Sequence, residues 1–541
     1  MNVVTTVLAQ LTHYCSIWAI VLIISCVRLA VALDSPLQTV VQGDLRTPHT
    51  FTVRAGAGDL ISGKFERQGP TVTCTIGLYD ERGSKVKEER YWDYYSGAMP
   101  VGFVAPRQGM FRIRISAASP SDASYTLRTE VRTPAQQVAA LTVTPVVRDE
   151  SARVAQLSRE VRAGRSRAVE RFWSESKMRG GPLVEPIDLN DREVLITFLW
   201  KEIYETHNVF LVWPGEVLYP HDHFLSRVEG TNVWYKTVRV ARGSRFSYQL
   251  PPNDRGEEPH YTAQTDPLNS RLYTDADRVI GSVLELPGAP DESWYRRTPS
   301  VRGTVTRHVF ISALLKGRRD VVVYTPPNYV PSKGPYLLLI LLDGDVYTGN
   351  LAAANTLDNL IAAHRIRPTV VCFLNNTPDG TRSGDQLSPV YPDAIATELV
   401  PWLRMSYAVT TDPKGVVIGG ESQGGTAAGF IALRYPNVFG NVLFQSGAGP
   451  RFLRTGIDAA DAPVRFYFDS GLYEESIWLN LPPDLRALSA SAIDTQRRVR
   501  DLLRNKGYAV IYHETGGAHQ GLHWRSTLAE GLIALLGEPT R

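Results

Sequence analysis

Residues 416–435 read VVIGGESQGGTAAGFIALRY, and the fold turns on how this stretch bends. Val416, Val417 and Ile418 have the look of a buried strand end, whereas residues 426–435, with Ala427, Ala428, Phe430, Ile431 and Leu433, space their apolar side chains as a helix does. Between them lies Gly420-Glu421-Ser422-Gln423-Gly424, a G-x-S-x-G pentapeptide. In that setting the pentapeptide predicts a nucleophile elbow, a sharp strand-to-helix turn that holds Ser422 in strained dihedrals between neighbours small enough not to collide. The competing reading is a Gly-rich turn whose serine only caps the helix.

Working outward, apolar strands and helical segments alternate from residue 305 onward. DVVVYTPP and YLLLILLDG precede a helix near 352–364, and TVVCFLNN precedes another near 394–405. Beyond the elbow come NVLFQSG, VRFYFDSG, a helix near 495–506 and AVIYHETGG. Strands that are apolar on both faces, separated by helices, predict a mostly parallel sheet covered on both sides, in the order of an α/β-hydrolase.

A serine hydroxyl needs a base to take its proton and an acid to orient that base, and in this fold the order is serine, acid, histidine. His519, after AVIYHE and the loop Thr515-Gly516-Gly517-Ala518, stands where the base belongs; His513 and His523 read as core or packing histidines. The strand VRFYFDSG offers Asp469, Glu474 and Glu475 as acids. Glu474 is preferred because it lies beyond Gly471, with Asp469 second. One oxyanion donor is the amide of Gln423, and the other comes from Asp343-Gly344-Asp345, where Asp345 is preferred to Gly344. The mechanism calls for no metal and no organic cofactor.

Upstream the pattern changes. From about 36 to 133 short period-two strands such as Phe111-Arg112-Ile113-Arg114-Ile115 predict a small β-sandwich. HTFTVRAGAGDLI, LYDERG, FVAPRQGMFRIRI and SYTLRTEV resemble the prepeptidase C-terminal type of accessory domain. Residues 149–175 predict a linking helix with an arginine-rich face. VLITFLW, NVFLVW, NVWYKTVRV and FSYQL predict a second β-sandwich. Within it, His221-Asp222-His223 lacks a third ligand in view and reads as loop rather than as a metal site. The expected organisation is thus a leader to 33, sandwiches at 34–135 and 182–300 joined by a helical linker at 136–181, and the α/β-hydrolase domain at 301–541.

Composition narrows the function classes. A hydrophobic share of 43%, a charged share of 21% and a formal net charge of +3 exclude a disordered chain and a polybasic nucleic-acid binder. Four cysteines exclude a disulfide scaffold, and Cys74 and Cys372 sit in apolar strands as buried thiols would. The apolar run at 16–33, broken only by Arg28 and ending in Ala30-Val31-Ala32, predicts export to the periplasm with cleavage after Ala32. No Lys or Arg precedes the run, and its length approaches that of a membrane span, so an uncleaved anchor is the alternative.

From about Gly180 to its end the chain resembles the enterochelin esterase family. The resemblance is carried by GGPLVEP, VEGTNVWYKTV, DPLNS and SVLELPGAP, then by VYTPPNY, LLDGDVY, TELVPWL, GGESQGG, YPNVFGNVLFQSG and HQGLHWR. It implies a triad of Ser422, His519 and Glu474, and hydrolysis of the ester bonds of cyclic catecholate trilactones with release of iron. Arg382, matched to the family's arginine, and Arg451 are the candidate cations for that anionic substrate. The chain departs from the pattern at Ala448-Gly449-Pro450-Arg451-Phe452, at the acidic position within Arg382-Ser383-Gly384-Asp385-Gln386-Leu387, and by an extra Ala518. Feruloyl, peptide or glycan esters and acyl transfer therefore stay open, as does, from another class, a catalytically inert binding protein.

Overall fold

The computed structural model describes residues 38–69, 72, 74–91, 99–141, 143–214, 223–256, 260–275, 278–375, 382–447, 464–474 and 492–537. Eight strands build its largest sheet: β1 Thr304–Ser312, β2 Gly317–Thr325, β3 Leu337–Leu342, β4 Thr369–Leu374, β5 Val416–Glu421, β6 Asn441–Gln445, β7 Arg465–Tyr473 and β8 Ala509–Ala518. Their spatial order is β1-β2-β4-β3-β5-β6-β7-β8. The first two strands pair antiparallel with each other, β2 pairs antiparallel with β4, and every pairing from β4 to β8 is parallel. Every residue of β3, β4, β5 and β6 is buried, which is why β3 and β4 read as nearly continuous apolar runs, while β5 and β6 also bury Glu421, Asn441 and Gln445 at their ends.

Helices cover both faces: α1 Gly344–Thr348, α2 Ala353–Ala362, α3 Arg382–Gln386, α4 Gln423–Arg434, α5 Ala492–Asn505 and α6 Gly521–Leu536. Side chains of β3 show how the layers divide. Leu338, Ile340 and Leu342 pack with Ile431 of α4 and Val499 of α5, whereas Leu339 and Leu341 pack with Leu357 of α2 and Leu528 of α6. The helix expected near 394–405 is a broken run: α-helical at Tyr391–Ala394, π-helical at Ile395–Leu399 and α-helical again at Val400–Ser406. Pro401 lacks the amide hydrogen that a continuous helix would need there.

Before this domain, residues 38–132 form two four-stranded antiparallel sheets that share one core, with Phe65, Cys74, Phe103, Ile113 and Leu127 inside it. A four-stranded and a three-stranded sheet then share a second core containing Ile196, Phe198, Phe246, Tyr248 and Leu284. NVFLVW, expected as a strand there, makes only isolated bridges, from Val209 to Pro252, Phe210 to Phe224 and Val212 to Gln249. Its partner changes at each bridge, and Pro252 has no amide hydrogen with which to extend a ladder.

The expected single linking helix is two helices, Ala152–Arg162 and Ala168–Arg179. Gly164 (φ 65°) and Arg167 (φ 60°) adopt left-handed backbone between them, which breaks the helical ladder. Both helices are docked: Val154, Leu157, Phe172 and Trp173 pack with Leu183, Leu199 and Val233 of the second β region. Their arginines are partly paired, Arg171 with Glu160 at 3.0 Å and Arg153 with Glu175. No described helix is long and apolar enough to cross a membrane, and the apolar run at 16–33 lies outside the described residues.

Candidate active site

Ser422 stands between β5 and α4 with φ 56° and ψ −121°, a conformation that costs a non-glycine residue about 1–3 kcal/mol. Neighbouring backbone holds it there. Its amide donates to the carbonyl of Gln445 on β6 at 2.8 Å, and its carbonyl accepts from the Thr426 amide at 3.1 Å. A Cβ at position 420 would lie 2.5 Å from the carbonyl carbon of Gly424, and one at 424 would lie 2.2 Å from Asp343 Oδ2. The glycines of the pentapeptide are thus required by the close approach of the turn to itself and to the end of β3.

That second turn is equally constrained. Asp343, buried and left-handed at φ 57°, leads into α1 and accepts a 2.8 Å hydrogen bond from Gln386 Nε2 of α3. Asp345 is the second residue of α1 and Gln423 the first of α4, positions whose amides have no acceptor within their own helix. The two helices spring from adjacent parallel strands, so their first turns open at the same edge of the sheet.

His519 follows β8 directly, with Nε2 2.8 Å from Ser422 Oγ and its ring edge-on to Trp524 at 5.1 Å. Its Nδ1 lies 3.4 Å from Oε2 of Glu474, which follows β7. The His519 side chain is 16% exposed and that of Glu474 fully buried, so the base can be reached from outside and the acid cannot. Glu474 is held on every side: Oε1 accepts from Ser446 Oγ at 2.6 Å and from the Gly471 amide at 2.7 Å, and Oε2 accepts from Gln496 Nε2 at 2.6 Å. Burial alone would raise its carboxyl. The hydrogen bond and charge of His519, the charge of His523 and the Ser446 hydroxyl outweigh burial and hold it down at about 2.

Asp469, the second-choice acid, does not meet His519. It is fully buried on β7 and pairs with His523 of α6, Oδ1 to Nε2 at 3.1 Å. His513 faces Glu530 at 3.1 Å, and Glu475 lies outside the described residues. The expected loop at 515–518 is part of β8. Gly471 and Gly517 let the two backbones pass, since a Cβ at 471 would lie 2.6 Å from the Gly517 carbonyl oxygen.

A family model described as putative esterase matches residues 312–535, and one described as enterochelin esterase, N-terminal, matches residues 195–295. The chain belongs to the enterochelin esterase family. It is a carboxylic ester hydrolase on an α/β-hydrolase-type fold. The iron(III) enterobactin esterase of Escherichia coli (strain K12) is 26% identical over 405 residues, which cover 67% of this chain and 95% of that one. The iron(III) salmochelin esterase of Escherichia coli O6:H1 (strain CFT073) is 26% identical over 415 residues, 71% of this chain and 98% of its own length. Among solved structures, the ferric enterobactin esterase of Salmonella typhimurium shares the fold with a TM-score of 0.53 at 22% identity, over 68% of this chain and 98% of that one.

Arg382 opens α3, its side chain outside the description, and Arg451 lies outside the described residues altogether. Asp385 is engaged by Arg319 of β2 through two hydrogen bonds of 2.8 Å, a bidentate pair that fixes α3 to the sheet. His223 is buried with Nδ1 3.0 Å from the Leu211 carbonyl oxygen, and His221 and Asp222 lie outside the described residues.

Several supporting residues were not singled out from the sequence, although Ser446 and Trp524 lie within the stretches YPNVFGNVLFQSG and HQGLHWR. Ser446, Gln496 and Trp524 come from β6, α5 and α6, and only the folded sheet brings them to Glu474 and His519. The second β region also reaches the residues next to the acid and the base. The Ala241 amide donates to Tyr473 Oη at 2.8 Å, and Gln520 Oε1 accepts from the amide and hydroxyl of Ser247 at 3.1 and 2.8 Å.

Proposed function

We propose that the protein is an exported serine esterase that opens the ester bonds of a catecholate trilactone siderophore of the enterobactin kind and so releases its iron. The observation that carries the reading is the 2.8 Å approach of His519 Nε2 to Ser422 Oγ with the sealed carboxylate of Glu474 behind it, in a chain that spans nearly the whole length of enterobactin and salmochelin esterases. His519 takes the proton of Ser422 as Oγ attacks the ester carbonyl, and Glu474 keeps Nδ1–H pointed away from the serine and stabilises the imidazolium. The amides of Gln423 and Asp345 receive the negative charge that develops on the carbonyl oxygen. His519 then returns the proton to the departing alkoxide. Water, activated by the same histidine, attacks the acyl-serine and releases the acid.

In this reading Arg382 and Arg451 attract the anionic ferric complex, and the apolar run at 16–33 directs the chain to the periplasm. Residues 34–135 form an accessory β-sandwich, and residues 182–300 a second that belongs to the catalytic unit. The test is to incubate the purified protein with ferric and iron-free enterobactin and follow the linear trimer, dimer and monomer by mass spectrometry, with Ser422→Ala and His519→Ala as controls. Stepwise hydrolysis that both substitutions abolish is expected. An untouched trilactone beside rapid cleavage of a simple aryl ester would replace the siderophore by another ester.

A further inference from the structure

Two fully buried carboxylates, Asp469 and Glu474, face the same nitrogen of one buried histidine. His523 Nε2 lies 3.1 Å from Asp469 Oδ1 and 3.8 Å from Glu474 Oε1. Its other nitrogen, Nδ1, is 3.2 Å from Thr515 Oγ1, and the ring sits so close to Gly517 that a Cβ there would lie 2.2 Å from Nδ1. An ionised carboxylate can only accept, so Nε2 carries a proton. The hydroxyl of Thr515 can accept as well as donate, so Nδ1 has a partner for a second proton.

The two carboxylates differ in what else holds them. Glu474 has neutral donors from Ser446, Gly471 and Gln496, whereas Asp469 Oδ2 has no hydrogen-bond partner among the described residues. A buried carboxylate with so little hydrogen bonding is costly unless its partner is charged. We propose that His523 is held as an imidazolium between Asp469 and Glu474, and that it is a positioning residue whose charge sets how strongly His519 feels the acid. The proposal rests on the reading of Ser422, His519 and Glu474 as a triad.

Charge balance gives the arrangement its purpose. With His519 neutral, the two carboxylates and the His523 cation sum to one negative charge; once His519 has taken the serine proton, the four groups are neutral together. Without the His523 cation, two buried negative charges would face the new imidazolium, and His519 would hold its proton too firmly to return it to the leaving group. The groups that bear on His523 are Asp469 and Glu474 from β7 and its end, Thr515 from β8 and, across Glu474, His519. Tyr467, two residues before Asp469, stays neutral, its phenol pushed up by burial and by the Asp469 charge. Burial works against a charged His523, yet the hydrogen bond to Asp469 and the charges of both carboxylates raise the ring above its ordinary range.

The test is the pH dependence of kcat/KM for a small neutral ester in the full chain and in His523→Gln and Asp469→Asn. Removing the cation leaves more negative charge beside His519, so the acid limb of His523→Gln moves to higher pH by about half a unit to one unit, whereas that of Asp469→Asn, which loses the carboxylate and the cation it holds together, stays close to the parent's. A His523→Gln profile that superimposes on the parent's, or moves down, overturns the proposal, because a neutral ring has no charge to lose. Should that variant fail to fold, nitrogen NMR of the histidine-labelled parent at about pH 8 decides. One histidine protonated on both nitrogens, absent from Asp469→Asn, is expected; finding none overturns the proposal. Turnover persisting in Ser422→Ala would instead overturn the triad reading, and the NMR result would stand apart from it.

Discussion

Ser446 donates its hydroxyl to Glu474, with 2.6 Å between the two oxygens, and the same Oγ accepts from Trp524 Nε1 at 2.8 Å. Because the Trp524 ring also borders His519, the serine ties the position of the acid to the wall behind the base. Ser446→Ala removes a hydrogen bond to a buried charge, of the kind that contributes about 1.5–3 kcal/mol. We expect kcat for a small ester to fall about 10- to 100-fold with KM little changed, read from steady-state kinetics. An unchanged kcat would mean that Gln496 and the Gly471 amide suffice to hold the acid.

Glu474 and Asp469 are both sealed carboxylates near the end of β7, but only one of them meets His519. Glu474→Gln cannot stabilise the imidazolium and favours the wrong tautomer, so its kcat should fall by about three to four orders of magnitude. Asp469→Asn should cost far less. The reverse ranking in turnover would transfer the acid's role to Asp469.

The depressed carboxyl of Glu474 also predicts a pH window for stability. Its folded value of about 2 lies below the ordinary 4.5, so the ionised group stabilises the fold above that range, and its contribution fades as pH falls from about 4.5 toward 2. The melting-temperature gap between the parent and Glu474→Gln should therefore narrow across that window. A gap that stays constant would show that the ionised carboxylate adds nothing to stability.

What the sequence made legible follows from how local each signal is. The elbow was readable because a strained strand-to-helix turn demands glycines at fixed offsets from Ser422, and the parallel sheet because strands buried on both faces, such as Leu337–Leu342 and Thr369–Leu374, leave nearly continuous apolar runs. His519 and Glu474 could be proposed because each lies shortly after an apolar strand in the sequence, and the structure extends those strands to Ala518 and Tyr473. Ser446, Gln496, Trp524 and the Asp469–His523 pair could not be, since β6, α5, α6 and β7 converge only through the sheet order and no spacing in the chain encodes that. The two helices at 152–179 merged in the sequence because apolar spacing reports a face and is blind to the left-handed backbone at Gly164 and Arg167.

Contacts from the second β region make a further prediction. Gln520 is next to the base, and its side-chain oxygen takes both donors of Ser247. Gln520→Ala leaves a part-buried amide and hydroxyl without that acceptor and frees the backbone beside His519. A drop of about tenfold in kcat at unchanged KM is expected. Normal turnover would show that the Trp524 ring alone keeps the histidine in place.

The region before residue 133 has its own core, built from Ile61, Phe65, Ile76, Phe103 and Ile113, and contains none of the residues assigned to chemistry. It approaches the second β region where Gly58 meets the Tyr204 ring and Gly102 the Tyr261 carbonyl, both far in the chain from Ser422 and from the strand ends that carry His519 and Glu474. A chain starting near residue 145 keeps the contacts that anchor the new terminus, Lys236 Nζ on the Val146 carbonyl at 2.6 Å and Arg239 on Asp149 at 2.8 Å, and it keeps both docked helices. A region with its own core that supplies no residue to the triad can be removed without unfolding its neighbour, so this truncated chain should melt cooperatively and hydrolyse a small ester within about twofold of the full-length rate. Loss of turnover with cooperative melting retained would show that the first β region shapes the site from a distance. Loss of both would show that it is part of the catalytic unit's fold.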